Sequence, residues 1–112
     1  MAEDMGWVNV RIDKNSPVIQ TTVEKSTTAN FVGKVTVTST STPVLAANSN
    51  RKCAIIINDS DAVIYIAYSN TATLNEGIRL NPSGGVLIEN TYTGPISAIT
   101  ATGSKNLTVT EI

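Results

Sequence analysis

The sequence RKCAIIINDSDAVIYIAY, residues 51–68, decides the fold class because it contains two apolar runs typical of β-strands. Residues 53–57 form an unbroken apolar run rich in β-branched side chains, and residues 62–68 form a second run. The polar sequence between them, NDSD at residues 58–61, favours a turn because its side chains can bond to the local backbone. We therefore predict a β-hairpin in which the two runs pair as neighbouring strands.

Both faces of these two strands are apolar. Alternate residues of a strand point to opposite sides of a sheet, so Ile55 and Ile57 share one face while Ala54 and Ile56 share the other. One face can pack on the second sheet of a sandwich. The other face needs a cover, either the N-terminal segment of the same chain or a neighbouring subunit. This pattern predicts a homo-oligomer or a docked partner protein.

The rest of residues 34–112 has the composition of an all-β domain. Thr, Ser, Asn, Val and Ile dominate, and short β-like runs alternate with turn residues, as in residues 77–80, where Ile78 and Leu80 are expected inward and Arg79 outward. We predict a single-domain antiparallel β-sandwich of about seven to eight short strands. The pattern leaves jelly-roll and immunoglobulin-like connections both open.

Residues 1–33 are interpreted in two ways. Val8, Val10 and Ile12 alternate with polar residues and predict a short strand, whereas Pro17 limits the residues after it to an edge strand or an extended segment. A helix over residues 21–29 also remains open. We predict either an extended arm that lies on another surface or an ordinary first pair of strands, followed by the sandwich domain at residues 34–112.

Composition restricts the cellular setting. The chain has 112 residues, a formal net charge of −1, one cysteine and no histidine. A lone cysteine fits a reducing compartment, and residues 1–13 lack the apolar core of a signal peptide, so we expect synthesis in a host cytoplasm. Charge is sparse and balanced and no run is long enough to span a bilayer, so neither a nucleic acid nor a membrane is expected as a partner.

Residues that could carry chemistry have simpler interpretations. Asp59 and Asp61 could bind calcium, but the glycine and distal glutamate of a calcium loop are missing, which favours an acidic turn. Gly84 and Gly85 precede a strand and not the helix of a phosphate loop. Cys53 begins an apolar strand in a chain without histidine, which favours a structural thiol. We expect no enzymatic activity, no cofactor and no metal.

A family resemblance extends over roughly the last two-thirds of the chain. The ordered motifs are a Val-Thr strand from about residue 36, NSNR at 48–51, IIIN at 55–58, VIYI at 63–66, EGIRL at 76–80, GG at 84–85, YTGPISAI at 92–99 and LTVTE at 107–111. This order resembles small β-sandwich virion proteins of tailed bacteriophages. The resemblance implies a virion component with no catalytic residues to transfer. Proteins of this size and type often decorate or cement the outer capsid, commonly as trimers, and bind the major capsid protein.

The sequence supports one leading function and two alternatives. We expect a virion structural protein on the capsid surface, with a tail, connector or fibre-base component as one alternative. A carbohydrate-binding module is the other, although the few aromatic residues favour core or interface packing over sugar stacking. The residues that we predict to contact a partner are Trp7, Val8, Val10, Ile12, Ile56, Ile64, Ile66 and Tyr68.

Overall fold

The computed structural model describes residues 28–112 of the chain. All regular structure within this range is β-strand, and no helix there is long and apolar enough to cross a membrane. The prediction of an arm or edge strands before residue 28 lies outside the described residues. So do four predicted contact residues, Trp7, Val8, Val10 and Ile12.

Eight strands form two antiparallel sheets of four strands each. Sheet A has the order β1-β8-β3-β6, and sheet B has the order β2-β7-β4-β5. The strands are β1 (Phe31–Val37), β2 (Thr42–Leu45), β3 (Ala54–Asn58), β4 (Ile64–Ala67), β5 (Ile78–Leu80), β6 (Gly85–Glu89), β7 (Ile96–Thr100) and β8 (Lys105–Glu111). The predicted all-β sandwich is confirmed. β1 begins three residues before the predicted domain boundary, because Phe31 already pairs with Glu111.

The strand order distinguishes the two topologies that the sequence left open. Among residues 28–112, β4 and β5 are the only consecutive strands that belong to one sheet, and every other connection crosses to the opposite sheet. An immunoglobulin-like sandwich instead keeps its first two strands, and also its last two, as sheet neighbours. Eight strands alternating between two four-stranded sheets in this way form a jelly roll.

The prediction that residues 53–57 and 62–68 pair with each other as a hairpin is wrong. β3 pairs with β6 and β8 in sheet A, whereas β4 pairs with β5 and β7 in sheet B. The polar residues between them form an arch that crosses between the sheets, and buried Asn58 holds this arch. Its amide nitrogen donates to the carbonyl oxygens of Ala62 at 2.8 Å and Leu80 at 3.0 Å, and its Oδ1 accepts from Ser60 at 2.6 Å. These partners fully satisfy a polar side chain that would otherwise destabilise the core.

The core lies between the sheets and is filled by alternate residues of each strand. On β3 the inward residues are Ala54, Ile56 and Asn58, while Ile55 and Ile57 point outward. On β5, Leu80 is buried, Ile78 packs against the core and Arg79 is exposed, which confirms the predicted alternation. The buried apolar cluster comprises Val37, Val44, Leu45, Ala54, Ile56, Ile64, Ile66, Leu80, Ile96, Ala98, Leu107 and Val109.

Gly77 sets the entry into β5, and we expect its replacement by alanine to be strongly destabilising. Its φ is +88°, and a Cβ there would overlap the carbonyl oxygen of Ile66 on the neighbouring strand. Strain and overlap together should lower the free energy of unfolding by at least about 2 kcal/mol in a denaturant titration. Gly84→Ala is the matched control, because Gly84 has φ +113° but open space around it. Equal losses in the two variants would contradict a role for the close approach to Ile66.

Candidate interaction surface on sheet A

The outer face of sheet A carries three of the four large apolar side chains that are exposed among residues 28–112, and the fourth, Phe31, lies on the other side of β1. Four large apolar side chains are exposed among residues 28–112, and all four lie on β1 or β6, the two edge strands of this sheet. Val32 is 71% exposed, Val86 53% and Ile88 64%. The fourth, Phe31, begins β1 and is only 38% exposed. Burial of these three side chains against a partner would be favourable. Their grouped exposure on one sheet therefore indicates a candidate interaction surface.

Strand register brings these residues into two rows across the sheet. In the first row, Thr110 of β8 lies opposite both Val32 and Ile55, and Ile55 lies opposite Ile88. In the second row, Thr108 lies opposite both Lys34 and Ile57, and Ile57 lies opposite Val86. Because directly opposed residues of antiparallel strands share a face, the rows form one surface that is apolar except for two threonines and, at the β1 end of the second row, Lys34. We call its apolar and threonine residues the sheet A face: Val32, Ile55, Ile57, Val86, Ile88, Thr108 and Thr110.

The sheet A face ends at an edge strand with little protection against association. β6 has the sequence GVLIE and contains neither lysine nor proline, the residues that commonly block edge-to-edge pairing. Its one charged side chain, Glu89, is bonded to Tyr68 and to the turn at Thr91 and Tyr92. β1, the opposite edge, carries Lys34. Within residues 28–112, the exposed side chains of Val86 and Ile88 therefore lie on an edge strand that pairs with β3 alone.

Sheet B presents a different outer surface. Its outward residues include Tyr65 and Ile99, which are opposed across β4 and β7 and are half-buried. On the neighbouring strand β5, Arg79 lies opposite Tyr65 and is exposed. The described part of sheet B has no exposed large apolar side chain. The two faces of the sandwich thus differ in chemistry, and sheet A is the better candidate for a protein interface.

Three of the predicted contact residues are corrected by their burial. Ile56, Ile64 and Ile66 each have 0% exposure and lie in the core between the sheets. They cannot touch a partner while the domain is folded, because their strands place them on the inward face. The outward residues of the same β3 strand, Ile55 and Ile57, occupy the surface position instead. The sequence showed that β3 has two apolar faces, but the residue chosen on β3, Ile56, belongs to the inward face.

Tyr68, the fourth predicted residue in the described range, belongs to a small polar cluster that joins the two sheets. Its ring stacks on Tyr92 with centroids 4.5 Å apart and planes 9° from parallel. Its hydroxyl donates to Glu89 Oε1 at 2.6 Å, and Glu89 Oε2 accepts from the Thr91 amide and hydroxyl and the Tyr92 amide, each at 2.7 Å. One face of each ring is therefore occupied by the other ring.

The hydrogen bonds to Glu89 change its protonation. The Tyr68 hydroxyl, and then the Thr91 and Tyr92 donors, lower the pKa of Glu89 from 4.5 to about 2. Burial and the Glu89 carboxylate raise the pKa of Tyr68. A carboxylate with a folded pKa below its unfolded value stabilises the fold above the unfolded value, and this contribution is lost as the pH falls toward the folded value.

We therefore expect Glu89→Gln to reduce stability at neutral pH and to remove part of the acid sensitivity. The difference between wild type and variant should be constant above about pH 5 and should shrink between about pH 4.5 and 2, because the charge-assisted bonds are absent from the variant. Denaturant titrations of both proteins across this range measure the difference. If the difference in unfolding free energy between the two proteins stayed constant down to about pH 2, Glu89 would not titrate in this range.

A second cluster of polar contacts surrounds Arg51, a residue to which no sequence pattern gave a role. The structure buries its side chain to 1% exposure beside the carboxylate of Glu111, with Nε donating to Oε2 at 2.8 Å. Its Nη1 donates to the carbonyl oxygens of Tyr92 at 3.1 Å and Gly94 at 3.0 Å, and its Nη2 donates to Ala46 at 2.7 Å. One guanidinium group therefore connects the β2–β3 connection, the β6–β7 connection and the end of β8.

The other candidates for chemistry are placed as follows. The Asp61 carboxylate, considered above as a calcium ligand, pairs instead with Lys105 Nζ at 2.7 Å. The hydrogen bond from Lys105 and its positive charge lower the pKa of Asp61. Gly84 lies in the turn before β6 and donates its amide to Asn58. Cys53 is half-buried and exchanges two backbone hydrogen bonds with Ile112. Residues 28–112 contain no group of three side chains able to hold a metal ion.

A shallow depression of about 450 Å³ lies at the edge of sheet B. Its lining includes Pro43, Leu45, Ala47 and Ile96, and none of its lining side chains is ionisable. Such a surface can hold a small apolar group but supplies no acid, base or nucleophile.

Comparison with known proteins identifies no relative: no protein-family model matches the chain, and neither curated proteins nor solved structures show significant similarity to it.

Proposed function

We propose that this protein is a non-enzymatic structural component of a tailed-bacteriophage virion, and specifically a decoration or cement protein on the outer capsid. The observation that carries the proposal is the sheet A face, an exposed apolar surface beside an open edge strand on an otherwise polar domain. The resemblance of the ordered motifs to those of small phage virion proteins supports this biological setting. The jelly roll is compatible with this role, since viral capsid domains use it, but this is an analogy of fold alone.

The proposed mechanism is stabilisation by mass action. A protein that binds the assembled shell but not its dissociated subunits shifts the equilibrium toward the shell. In this proposal the partner is the major capsid protein, and several copies act together as a homo-oligomer, for which a trimer is favoured by the family resemblance. The apolar side chains Val32, Val86 and Ile88 would be buried at the contact, and Thr108 and Thr110 would supply hydrogen bonds.

The copy number in purified virions tests this proposal. Quantitative mass spectrometry of virions should give a simple ratio between this protein and the major capsid protein if it covers the shell. A few copies per virion would instead identify a tail, connector or fibre-base component. Complete absence from virions would contradict both roles.

A further inference from the structure

β6 is the least protected edge strand in the described part of the chain. Among residues 28–112, four strands have a neighbour on one side only: β1 and β6 in sheet A, and β2 and β5 in sheet B. Proteins prevent such edges from pairing with another chain by means of lysine or other charged side chains, proline, or very short strands. β1 contains Lys34 and β2 contains Pro43, while β5 has three residues with exposed Arg79 at its centre. The other four residues of β6, before its terminal glutamate, are glycine and apolar residues.

The terminal glutamate of β6 does not protect the edge. Glu89 lies opposite Ala54, a fully buried residue of β3, so its side chain is on the inward side of sheet A. There its carboxylate accepts hydrogen bonds from the Tyr68 hydroxyl and from the amides of Thr91 and Tyr92. These bonds hold the negative charge between the sheets. The edge of β6 therefore offers backbone donors and acceptors without a repelling charge beside them.

The sequence of β6 is complementary to a second copy of itself. If two copies run antiparallel with Leu87 opposite Leu87, then Val86 of each copy lies opposite Ile88 of the other, and Gly85 lies opposite Glu89. Directly opposed residues share a face, so the valines and isoleucines form one apolar cluster on the outer side. The two Glu89 residues then lie at opposite ends of the paired strands, about 14 Å apart in the strand direction. No like charges are opposed.

Other alignments of the two strands are less favourable. A shift that sets Ile88 opposite its own copy also sets Glu89 opposite Leu87, which packs against the core. A shift in the other direction sets Val86 opposite its own copy and Ile88 opposite Gly84, whose φ of +113° ends the extended strand. A shift by a single residue would oppose inward and outward side chains, so the two sheets would not share a face. The sequence therefore selects the alignment centred on Leu87.

We propose that two copies of this protein pair through their β6 strands, antiparallel and centred on Leu87, so that their two A sheets become one continuous sheet of eight strands. The sheet A faces of the two copies then join into one wider surface, and its outer side stays available for the proposed contact with the shell. A strand that pairs with itself relates two copies by a twofold axis, so this contact makes pairs and not the trimers that the family resemblance implies.

The inference deepens the homo-oligomer of the proposed function and can fail separately from it. Its tests use the purified full-length chain and no virion component, whereas the capsid role is tested by copy number in virions. The pairing of two five-residue strands buries less than the roughly 1,200 Å² at the lower end of standard interfaces. We therefore expect a reversible dimer with a dissociation constant in the micromolar range or weaker. Sedimentation equilibrium over a range of protein concentrations measures it.

Introduced cysteines determine the alignment of the two strands. The only native cysteine is first replaced, as Cys53→Ser, and Val86→Cys and Ile88→Cys are then made as separate variants. In the proposed alignment the Cβ atoms of positions 86 and 88 in different copies are about 5 Å apart, whereas two copies of position 86 are about 7–8 Å apart. A disulfide needs a Cβ separation of about 3.5–4.5 Å. Under mild oxidation, a mixture of the two variants should therefore form mixed disulfide dimers, identified by intact mass, and each variant alone should form few.

Lysine substitutions on the two edges of sheet A separate strand pairing from packing of the outer faces. Val86→Lys adds a charge to the unprotected edge and should raise the dissociation constant of the dimer by at least about tenfold. Val32→Lys is the matched control: it adds the same charge to the same outer face, but on β1, at a position that is 71% exposed compared with 53% for Val86. This variant should dimerise like the wild type. Circular dichroism checks that every variant retains the sandwich.

Each of three outcomes would overturn the inference. A wild-type chain that stays monomeric at every concentration would show that the edge does not pair. Equal weakening by Val32→Lys and Val86→Lys would identify packing of the outer faces as the contact. Preferential disulfide formation within Val86→Cys alone or within Ile88→Cys alone would show that the two strands are aligned differently.

Discussion

Replacement of Arg51 by methionine should lower the free energy of unfolding by about 3–5 kcal/mol, the cost typical of removing one member of a buried ion pair. The variant leaves the largely buried carboxylate of Glu111 without its cation, and it leaves the carbonyl oxygens of Ala46, Tyr92 and Gly94 without the guanidinium donors. Unsatisfied buried polar groups and an uncompensated charge are among the most destabilising changes in a protein. Denaturant titration at neutral pH measures this loss.

Two further variants identify the cause of that loss. Arg51→Lys retains the positive charge but cannot serve the same four acceptors, so it should remain substantially destabilised. Lys105→Met breaks the exposed pair with Asp61 and should change stability little, because exposed ion pairs contribute weakly. If Arg51→Met cost no more than Lys105→Met, the guanidinium of Arg51 would not be the structural centre that its contacts indicate.

The second large effect is expected on binding and not on stability. Val86→Glu with Ile88→Glu should weaken binding to capsid shells by at least about tenfold, because two unpaired carboxylates in an apolar contact should cost more than the roughly 1.4 kcal/mol that corresponds to tenfold. The same variant should change the free energy of unfolding by less than about 0.5 kcal/mol, as is usual for exposed positions. Cosedimentation with shells that lack the protein measures binding.

Thr71→Glu with Thr73→Glu, at two exposed positions of the β4–β5 connection, adds the same two charges and provides the control. Unchanged binding of the variant with Val86→Glu and Ile88→Glu would show that the shell contacts another part of the protein.

The sequence by itself determined the fold class and the strand positions. Alternation and β-branched residues in runs such as 53–57 and 77–80 are local properties, so they indicate strands without knowledge of their partners. Turn residues between the runs predicted short strands at close spacing, and the structure confirms an all-β sandwich. The two apolar faces of β3 were also recognisable, since parity depends only on the strand itself.

Only the tertiary structure decided which strands are neighbours and which face of each strand is buried. A polar turn such as residues 58–61 can either close a hairpin or cross between two sheets. Hydrogen bonds to residues far along the chain, such as that from Asn58 to Leu80, decide between the two conformations. The buried pair of Arg51 and Glu111 joins residues 60 positions apart, and no local pattern marks it. The sheet A face likewise exists only because register aligns Val32, Ile55 and Ile88 across three strand pairings. Strand propensity is local, whereas pairing and burial depend on contacts between distant segments, and in this protein those contacts create the surface available for binding.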